Sequence, residues 1–394
     1  MSSTIPRICV QENSTTPFTL GETTAKVVAL LEAGEVVALP TETVYGFAAR
    51  ADSPAALERL RGIKQRPQEM PLTWHVAPEN VEESLAAYGP QLPLRGLADR
   101  LIDCYWPGPL TLVLSGVPNR LEAVANNGSV GIRCPSHPFT ESVLKRADFP
   151  VVMTSANLHG DAPALSADQV ASRFAGSKDL ALLVDGGASL TRGASSVLQL
   201  GFRKFELLRE GLLSIKDLRG AAGLRIGFTC TGNTCRSPMA EGLARLALSR
   251  ALAGCPNLFP STKAGWAEAK RIGTCDPADF GFQISSMGVA AYAGSPASEG
   301  SLIAAKEYGV DLSSHEAQRA SLEAIEPLDI IYALTRSHAA ALVGSLPPDY
   351  ADRVRLIHPA GFDISDPIGG PIEVYRETAQ QIQRCIEARL DQWL

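Results

Sequence analysis

Cys230-Thr231-Gly232-Asn233-Thr234-Cys235-Arg236-Ser237 follows an apolar run at 224–229 and opens a stretch, 237–253, whose apolar residues recur at helical spacing. Strand, short polar loop and helix in immediate succession predict a parallel α/β unit. Such a loop can wrap a tetrahedral oxyanion with inward-pointing backbone N–H groups, and the positive end of the following helix reinforces the site. Cys230, at the strand end, would face the phosphorus. Arg236, at the helix start, can fork across two phosphate oxygens. Dipole and guanidinium together are expected to lower the Cys230 pKa, and Ser237 to donate a hydrogen bond to the thiolate. Thr231, Gly232, Asn233, Thr234 and Cys235 complete the cradle. A thiolate that attacks phosphorus needs a proton for its leaving group, and the expected donor is Asp366, within Asp363-Ile364-Ser365-Asp366-Pro367-Ile368-Gly369-Gly370. The same carboxylate can then activate water. A cysteine alone is more often structural; Cys-x5-Arg-Ser at a strand-to-helix junction, with a downstream Asp-Pro, favours the catalytic reading.

Outward from this loop, strand-like segments near 283–287, 308–312, 328–334 and 353–357 alternate with helices expected at 296–307, 319–326 and 371–391, the rhythm of a small doubly wound sheet. Residues 224–394 resemble the low-molecular-weight phosphotyrosine phosphatases, a family with a doubly wound four-stranded parallel sheet. The resemblance implies Cys230 as nucleophile, Arg236 as phosphate ligand and Asp366 as general acid. It also implies Asn233 as the prop of the cradle and Cys235 as partner in a protective disulfide with the nucleophile. Phosphorylated proteins would be the substrates, with no cofactor. Phosphotyrosine members usually carry an aliphatic residue where Thr234 stands and aromatics after Asp-Pro, where this chain has Ile368-Gly369-Gly370. Both departures resemble the protein-arginine phosphatases, so phosphoarginine is favoured over phosphotyrosine. Arsenate reductase is disfavoured because Cys275 and Cys385 lack the close pairing of a cysteine relay. Residues 255–280 form a longer, irregular segment than the family usually has, read as a lip on the cleft or a docking surface.

Before residue 208, a helix is expected at 25–33 and a strand at 35–39. A second helix, opened by Ser53-Pro54 and carrying Ala56, Leu57, Leu60 and Ile63, should end before Pro67. Strands at 110–114, 130–133, 151–153 and 180–184 and helices at 140–146 and 166–174 complete an α/β pattern. Polar motifs sit at the strand ends: Pro40-Thr41-Glu42-Thr43-Val44-Tyr45-Gly46, Lys64-x-Arg66-Pro67 with His75 beyond, Trp106-Pro107-Gly108-Pro109-Leu110-Thr111, Arg133-Cys134-Pro135, Thr154-Ser155-Ala156-Asn157, Ser195-Ser196 and Leu208-Arg209-Glu210-Gly211. Hydroxyls and cations at strand ends suit a polyphosphate with a small polar co-substrate. The pattern breaks over 208–223, which places a linker at 215–223 between domains at 18–214 and 224–394.

Singly each motif is weak; their order resembles the YrdC-like threonylcarbamoyl-adenylate synthases over about 18–214. The resemblance implies a twisted α/β fold with a concave cavity. The implied reaction is L-threonine, bicarbonate and ATP giving threonylcarbamoyl-adenylate and pyrophosphate, with Mg²⁺ at the synthase site. Transfer proteins then pass the group to adenosine-37 of tRNA, which makes the t6A transfer complex and tRNA the expected partners. Lys64, Arg66, Thr111, Arg133, Ser155, Asn157, Ser195 and Arg209 are expected on the ATP, and Thr43 and His75 on threonine. The family's Ser-Ala-Asn-x-Ser-Gly reads Ser155-Ala156-Asn157-Leu158-His159-Gly160 here, a histidine in place of a small hydroxyl. The rival reading is a non-catalytic RNA- or nucleotide-binding module, which the full motif set disfavours.

Composition sets outer bounds. The chain has 394 residues, 45% of them apolar and 20% charged, enough for two or three domains with real cores. A net charge of −6 excludes a bulk basic field for nucleic acid. Eight cysteines without a C-x-x-C pair give neither a disulfide scaffold nor a thiolate metal site. With no signal-like N-terminus and no membrane-length apolar run, the expected location is the cytoplasm, away from membranes.

Overall fold

Two units divide the chain, Met1–Leu218 and Arg219–Leu394. The computed structural model describes residues 5–10, 19–65, 70–88, 94–191, 193–255, 257–260 and 262–394.

The first unit is built on a ten-stranded mixed sheet. In chain order its strands are β1 (Arg7–Cys9), β2 (Val36–Leu39), β3 (Gly46–Arg50), β4 (Thr73–His75), β5 (Leu110–Ser115), β6 (Ser129–Arg133), β7 (Val151–Ser155), β8 (Leu180–Asp185), β9 (Ser196–Gly201) and β10 (Lys204–Arg209). They lie side by side as β1-β8-β2-β3-β7-β4-β6-β5-β9-β10. β2 is buried along its whole length, which is why it reads as an unbroken apolar run. Helix Leu20–Glu32 begins before the expected 25 because Thr19 and Glu22 form a capping box, with Thr19 N–H donating to Glu22 Oε2 at 2.8 Å and Glu22 N–H to Thr19 Oγ1 at 3.3 Å. Its Val27 and Leu31 pack with Phe139 and Val143 of helix Pro138–Arg146 onto Val37, Leu39, Leu182 and Val184 of the sheet. Truncating one such side chain, as in Leu31→Ala, costs about 2–5 kcal/mol.

Helix Pro54–Lys64 has Ser53 as its N-cap and Pro54 in its first turn, as the sequence implies. It stops when Gln65 takes a left-handed φ of 51°. Arg66 and Pro67 lie outside the described residues. Strands β1, β3, β4, β9 and β10 are additions to the sequence reading; they are short, or carry the polar motifs themselves. Residues 215–223, read as a linker, contain helix Ile215–Ala222, with Leu218 and Ala222 buried.

In the second unit β11 (Arg225–Cys230), β12 (Gln283–Gly288), β13 (Ile330–Ala333) and β14 (Val354–Leu356) form an all-parallel sheet in the order β12-β11-β13-β14. The order reverses direction at β11, so a crevice opens at the carboxyl end of that strand, where Cys230 stands. Residues 308–312 are not a strand. Tyr308 ends helix Glu299–Glu307, Gly309 turns at φ 85°, and Val310 and Leu312 are buried. Their apolar-polar alternation comes from packing on helix Arg236–Leu252, where a Cβ at Gly242 would stand 2.3 Å from Val310 Cγ1. The helix expected at 319–326 shrinks to Leu322–Ile325, capped by Ser321, and the last one divides into Ile372–Glu387 and Leu390–Trp393. The segment 255–280 carries helix Lys263–Ile272 and a tight turn at Pro277–Phe280. Buried Arg250 donates to Leu258 O at its start. Among the described residues no helix is long and apolar enough to cross a membrane.

Candidate active sites

The phosphate loop of the second unit is held from behind. Asn233 is fully buried at a left-handed φ of 54°, a conformation asparagine tolerates better than most residues. Its Nδ2 donates to Ser237 Oγ and Ser286 Oγ, both at 2.9 Å, while Oδ1 accepts from Gln318 N–H at 2.8 Å. His315 Nε2 lies 2.7 Å from its carbonyl oxygen. Cys230 Sγ stands 3.0 Å from Ser237 Oγ, and that hydroxyl lies 3.2 Å from Met287 O. The hydroxyl has a single proton. It donates to Met287 O while a Cys230 thiol donates to it, and can turn to the sulfur once the thiolate forms.

Arg236 is buried and donates from its terminal nitrogens to Asp366 Oδ2 at 2.6 Å and to Ile364 O at 3.2 Å. Its Nε is buried with no partner among the described residues. Such a buried donor, in a loop that ends a strand and opens a helix, is able to receive an anion. The expected triad of Cys230, Arg236 and Asp366 thus converges on the β11 crevice. Cys235 is buried against Ser298 Oγ at 3.3 Å, with the Tyr375 hydroxyl at 4.0 Å. Asp366 is followed by exposed Ile368, but Tyr292, 86% exposed, stands in the loop whose start is tied to Cys230 O and Thr231 O by Val289 and Ala290. An aromatic side chain therefore projects from a loop anchored at the cradle, although none follows Asp-Pro.

In the first unit, the ends of β4, β5, β6, β7 and β9 surround a cavity of about 660 Å³. His75, Thr111, Arg133, Ser155, Asn157, Ser195 and Arg209 of the expected set line it. Lys64 and Thr43 are buried beside it. The Lys64 ammonium donates to Ser155 O, and to Asn157 O at 2.9 Å and Oδ1 at 3.2 Å, so it braces the Ser155–Asn157 turn with a positive charge. Thr43 lies beneath the lining, where its hydroxyl accepts from Arg133 at 2.8 Å; Thr41 takes the lining position. Arg133 also donates to Glu42 Oε1 at 2.6 Å and Gly108 O at 3.1 Å, and both ion-pair side chains are 6% exposed. Arg209 donates to Ser195 O and Oγ, both at 3.0 Å, and Ser195 Oγ lies 3.1 Å from Thr111 Oγ1. Burial, aided by the Arg133 charge, pushes the His75 pKa down to about 3. The neutral ring then donates from Nδ1 to Thr73 O at 3.0 Å, which leaves Nε2 as an acceptor on a cavity-lining residue. No cluster of three or more His, Cys, Asp or Glu that could hold a metal occurs among the described residues.

Comparison with known proteins follows the same division. Residues 29–211 match the family model for Sua5, YciO and YrdC proteins, described as telomere recombination. A threonylcarbamoyl-AMP synthase of Bacillus subtilis is 34% identical over 50% of this chain and 56% of its own length. A putative threonylcarbamoyl-AMP synthase of Mycobacterium tuberculosis is 30% identical over 50% of this chain and 88% of its own. The chain belongs to the threonylcarbamoyl-AMP synthase family. It spans little more than half the length of the first curated relatives, 56% and 60%. Its second unit is a low-molecular-weight phosphatase domain, matched by the phosphotyrosine protein phosphatase family model over 225–277 and 261–394. A solved low-molecular-weight protein tyrosine phosphatase from T. tengcongensis is 33% identical, covering 43% of this chain and 99% of that one, with a TM-score of 0.34.

Sequence reasoning passed over several residues of both units. Glu42, in the synthase unit, lies inside a quoted motif, but nothing in its spacing showed that it would face Arg133. In the second unit Ser286, His315, Gln318 and His338 reach the loop from three separate segments, with no local pattern to flag them. His159, the departure from the synthase motif, is exposed, and its N–H donates to Lys64 O at 3.0 Å.

Proposed function

We propose that the chain is bifunctional: its first unit makes threonylcarbamoyl-adenylate for tRNA modification at adenosine-37, and its second is a cysteine-dependent protein phosphatase. The observation that carries the first reading is the fixed arginine in a polar cavity. Arg133 is held by Glu42, Thr43 and Gly108 O where two anions, a carbamate and a triphosphate, must meet. Positive charge that is already oriented lowers the barrier to bringing them together. The L-threonine amine and bicarbonate condense to the carbamate with loss of water, and a carbamate oxygen attacks the ATP α-phosphorus as pyrophosphate leaves. Asp161, a carboxylate in the cavity wall, would hold a Mg²⁺ bound with ATP, which would offset the charge of the phosphates. His75 Nε2 can accept from the threonine ammonium or hydroxyl, and the Thr111–Ser195–Arg209 cluster serves the nucleotide side. The transfer proteins and tRNA are the partners such a product requires.

Arg236, whose buried Nε has no partner among the described residues, carries the second reading. A phosphoryl group arriving at Nε and a terminal nitrogen displaces Asp366 from the guanidinium. The freed carboxylate, no longer held ionised by the guanidinium, takes up the proton given off as the Cys230 thiol ionises and passes it to the leaving group as the thiolate attacks phosphorus. In the second step Asp366 takes a proton from water, which attacks the phosphocysteine, and phosphate departs. Thr234 and the glycines after Asp366-Pro367 support a polar phosphoarginine substrate; Tyr292 is the feature that favours the phosphotyrosine alternative.

One purified preparation tests both readings. Pyrophosphate release from ATP should require threonine and bicarbonate together, and threonine-independent release would point to another ligase. Cys230→Ser should abolish hydrolysis of phosphoarginine and leave pyrophosphate release intact. Preference for phosphotyrosine in the unmodified chain would reverse the substrate assignment.

A further inference from the structure

His338 is buried, 4% exposed, in the first turn of helix Arg336–Ser345, where its N–H donates to the Thr335 N-cap at 3.3 Å. β13 delivers this helix to the phosphate site: its continuation at Leu334 bonds Thr229 O, one residue before the nucleophile. His338 Nε2 lies 2.9 Å from Thr231 Oγ1, and Nδ1 is buried with no partner among the described residues. The Thr231 contact is thus the ring's one polar side-chain contact among those residues. Burial first, and the Arg236 charge second, pull its pKa down to about 4, so the ring is neutral near pH 7; Asp366 and Asp363 oppose the shift.

A half-satisfied imidazole is a poor core residue, since an apolar pair of similar shape is nearly neutral or stabilising. What the histidine does is fix Thr231. Because threonine is β-branched, holding Oγ1 also sets χ1 of the residue that follows the nucleophile. We propose that His338 is a positioning residue of the phosphatase reaction, clamping Thr231 so that the start of the phosphate loop keeps the backbone geometry that fits the transferring phosphoryl group. This rests on the phosphatase reading above. A clamp that acts on transition-state fit lowers turnover and leaves ground-state binding largely alone.

The test uses the full chain with p-nitrophenyl phosphate. Losing one hydrogen bond worth about 0.5–1.5 kcal/mol corresponds to a fall of about two- to twelvefold in kcat. His338→Leu and Thr231→Val should each show this fall, with KM changed less than about twofold and Tm held or raised. The double variant should lose no more than either single one, and His338→Gln, which can still reach Thr231, should recover most of the loss. Unchanged kcat in both single variants, losses that multiply in the double variant, or a loss carried by KM would each overturn the proposal. Should His338→Leu fail to fold, Thr231→Val and His338→Gln still decide it. Absence of Cys230-dependent turnover in the unmodified chain would instead remove the phosphatase reading itself, and the clamp with it.

Discussion

The two arginines at the hearts of these sites are held in opposite ways. Arg133 is caged: a carbonyl holds its Nε, a carboxylate and a hydroxyl hold one terminal nitrogen, and its ion pair with Glu42 is sealed from water. Arg236 is poised: its partner Asp366 is 45% exposed along the side chain, and its Nε is uncommitted among the described residues. In the proposed synthase reaction, which gathers several small substrates, the caged arginine supplies a permanent field. In the proposed phosphatase cycle the poised one exchanges partners at each turnover, and its partner is also the proposed acid. A buried pair is costly to break because the remaining charge is stranded, whereas a half-exposed pair separates cheaply.

Asp366→Asn probes the poised side and should have the largest effect. Turnover should fall by about 10²- to 10⁴-fold for a leaving group that needs a proton. Inhibition by inorganic phosphate should tighten, because the anion no longer competes with a carboxylate for Arg236. Weaker phosphate inhibition would show that Asp366 does not occupy the anion's place. Glu42→Gln probes the caged side. It strands a buried guanidinium and should cost about 3–5 kcal/mol of stability in denaturant unfolding, with loss of pyrophosphate release. A variant as stable as the parent would mean that Arg133 is far less isolated than its burial implies.

The smallest effect is one of pH. His75 and His338 are neutral when folded down to about pH 3 and 4, but protonate near 6.5 when unfolded. Their contribution to stability is present in full above pH 6.5 and is lost as pH falls toward 4 and then 3. The slope is at most about 1.4 kcal/mol per pH unit for each histidine. Urea unfolding at pH 7, 6 and 5 should show it. His75→Asn should flatten the slope of the synthase unit and His338→Gln that of the phosphatase unit; unchanged slopes would mean that the rings are not buried neutral.

The same contrast explains what was legible in sequence. The loop at 230–237 is eight contiguous residues whose strand, turn and helix are dictated locally, so the placement of Cys230 at the strand end and Arg236 at the helix start could be read directly. Asp366 was legible because a Pro/Gly-rich turn marks its own position. The synthase cavity takes one or two residues from each of several strands. Only the order of its motifs was readable, and the pairing of Glu42 with Arg133, 91 positions apart, depends on sheet order. Props of Asn233 such as Ser286, His315 and Gln318 come from segments with no signature. Val310 and Leu312 misled because alternation on a helix-facing turn looks like alternation in a strand.

At the start of the second unit, a Cβ at Gly223 would fall 2.0 Å from the Gly281 carbonyl carbon, and one at Gly281 would fall 1.9 Å from Arg219 O. Main chain lies directly on main chain there, with the Arg219 side chain bonded to Asp279 O at 2.8 Å and Oδ1 at 3.1 Å. Anyone expressing the phosphatase separately should therefore begin the gene fragment at or before the codon for Arg219. A fragment begun at Leu224, where the first strand tempts the cut, would discard one side of that seam and leave the turn at Gly281 without its mate.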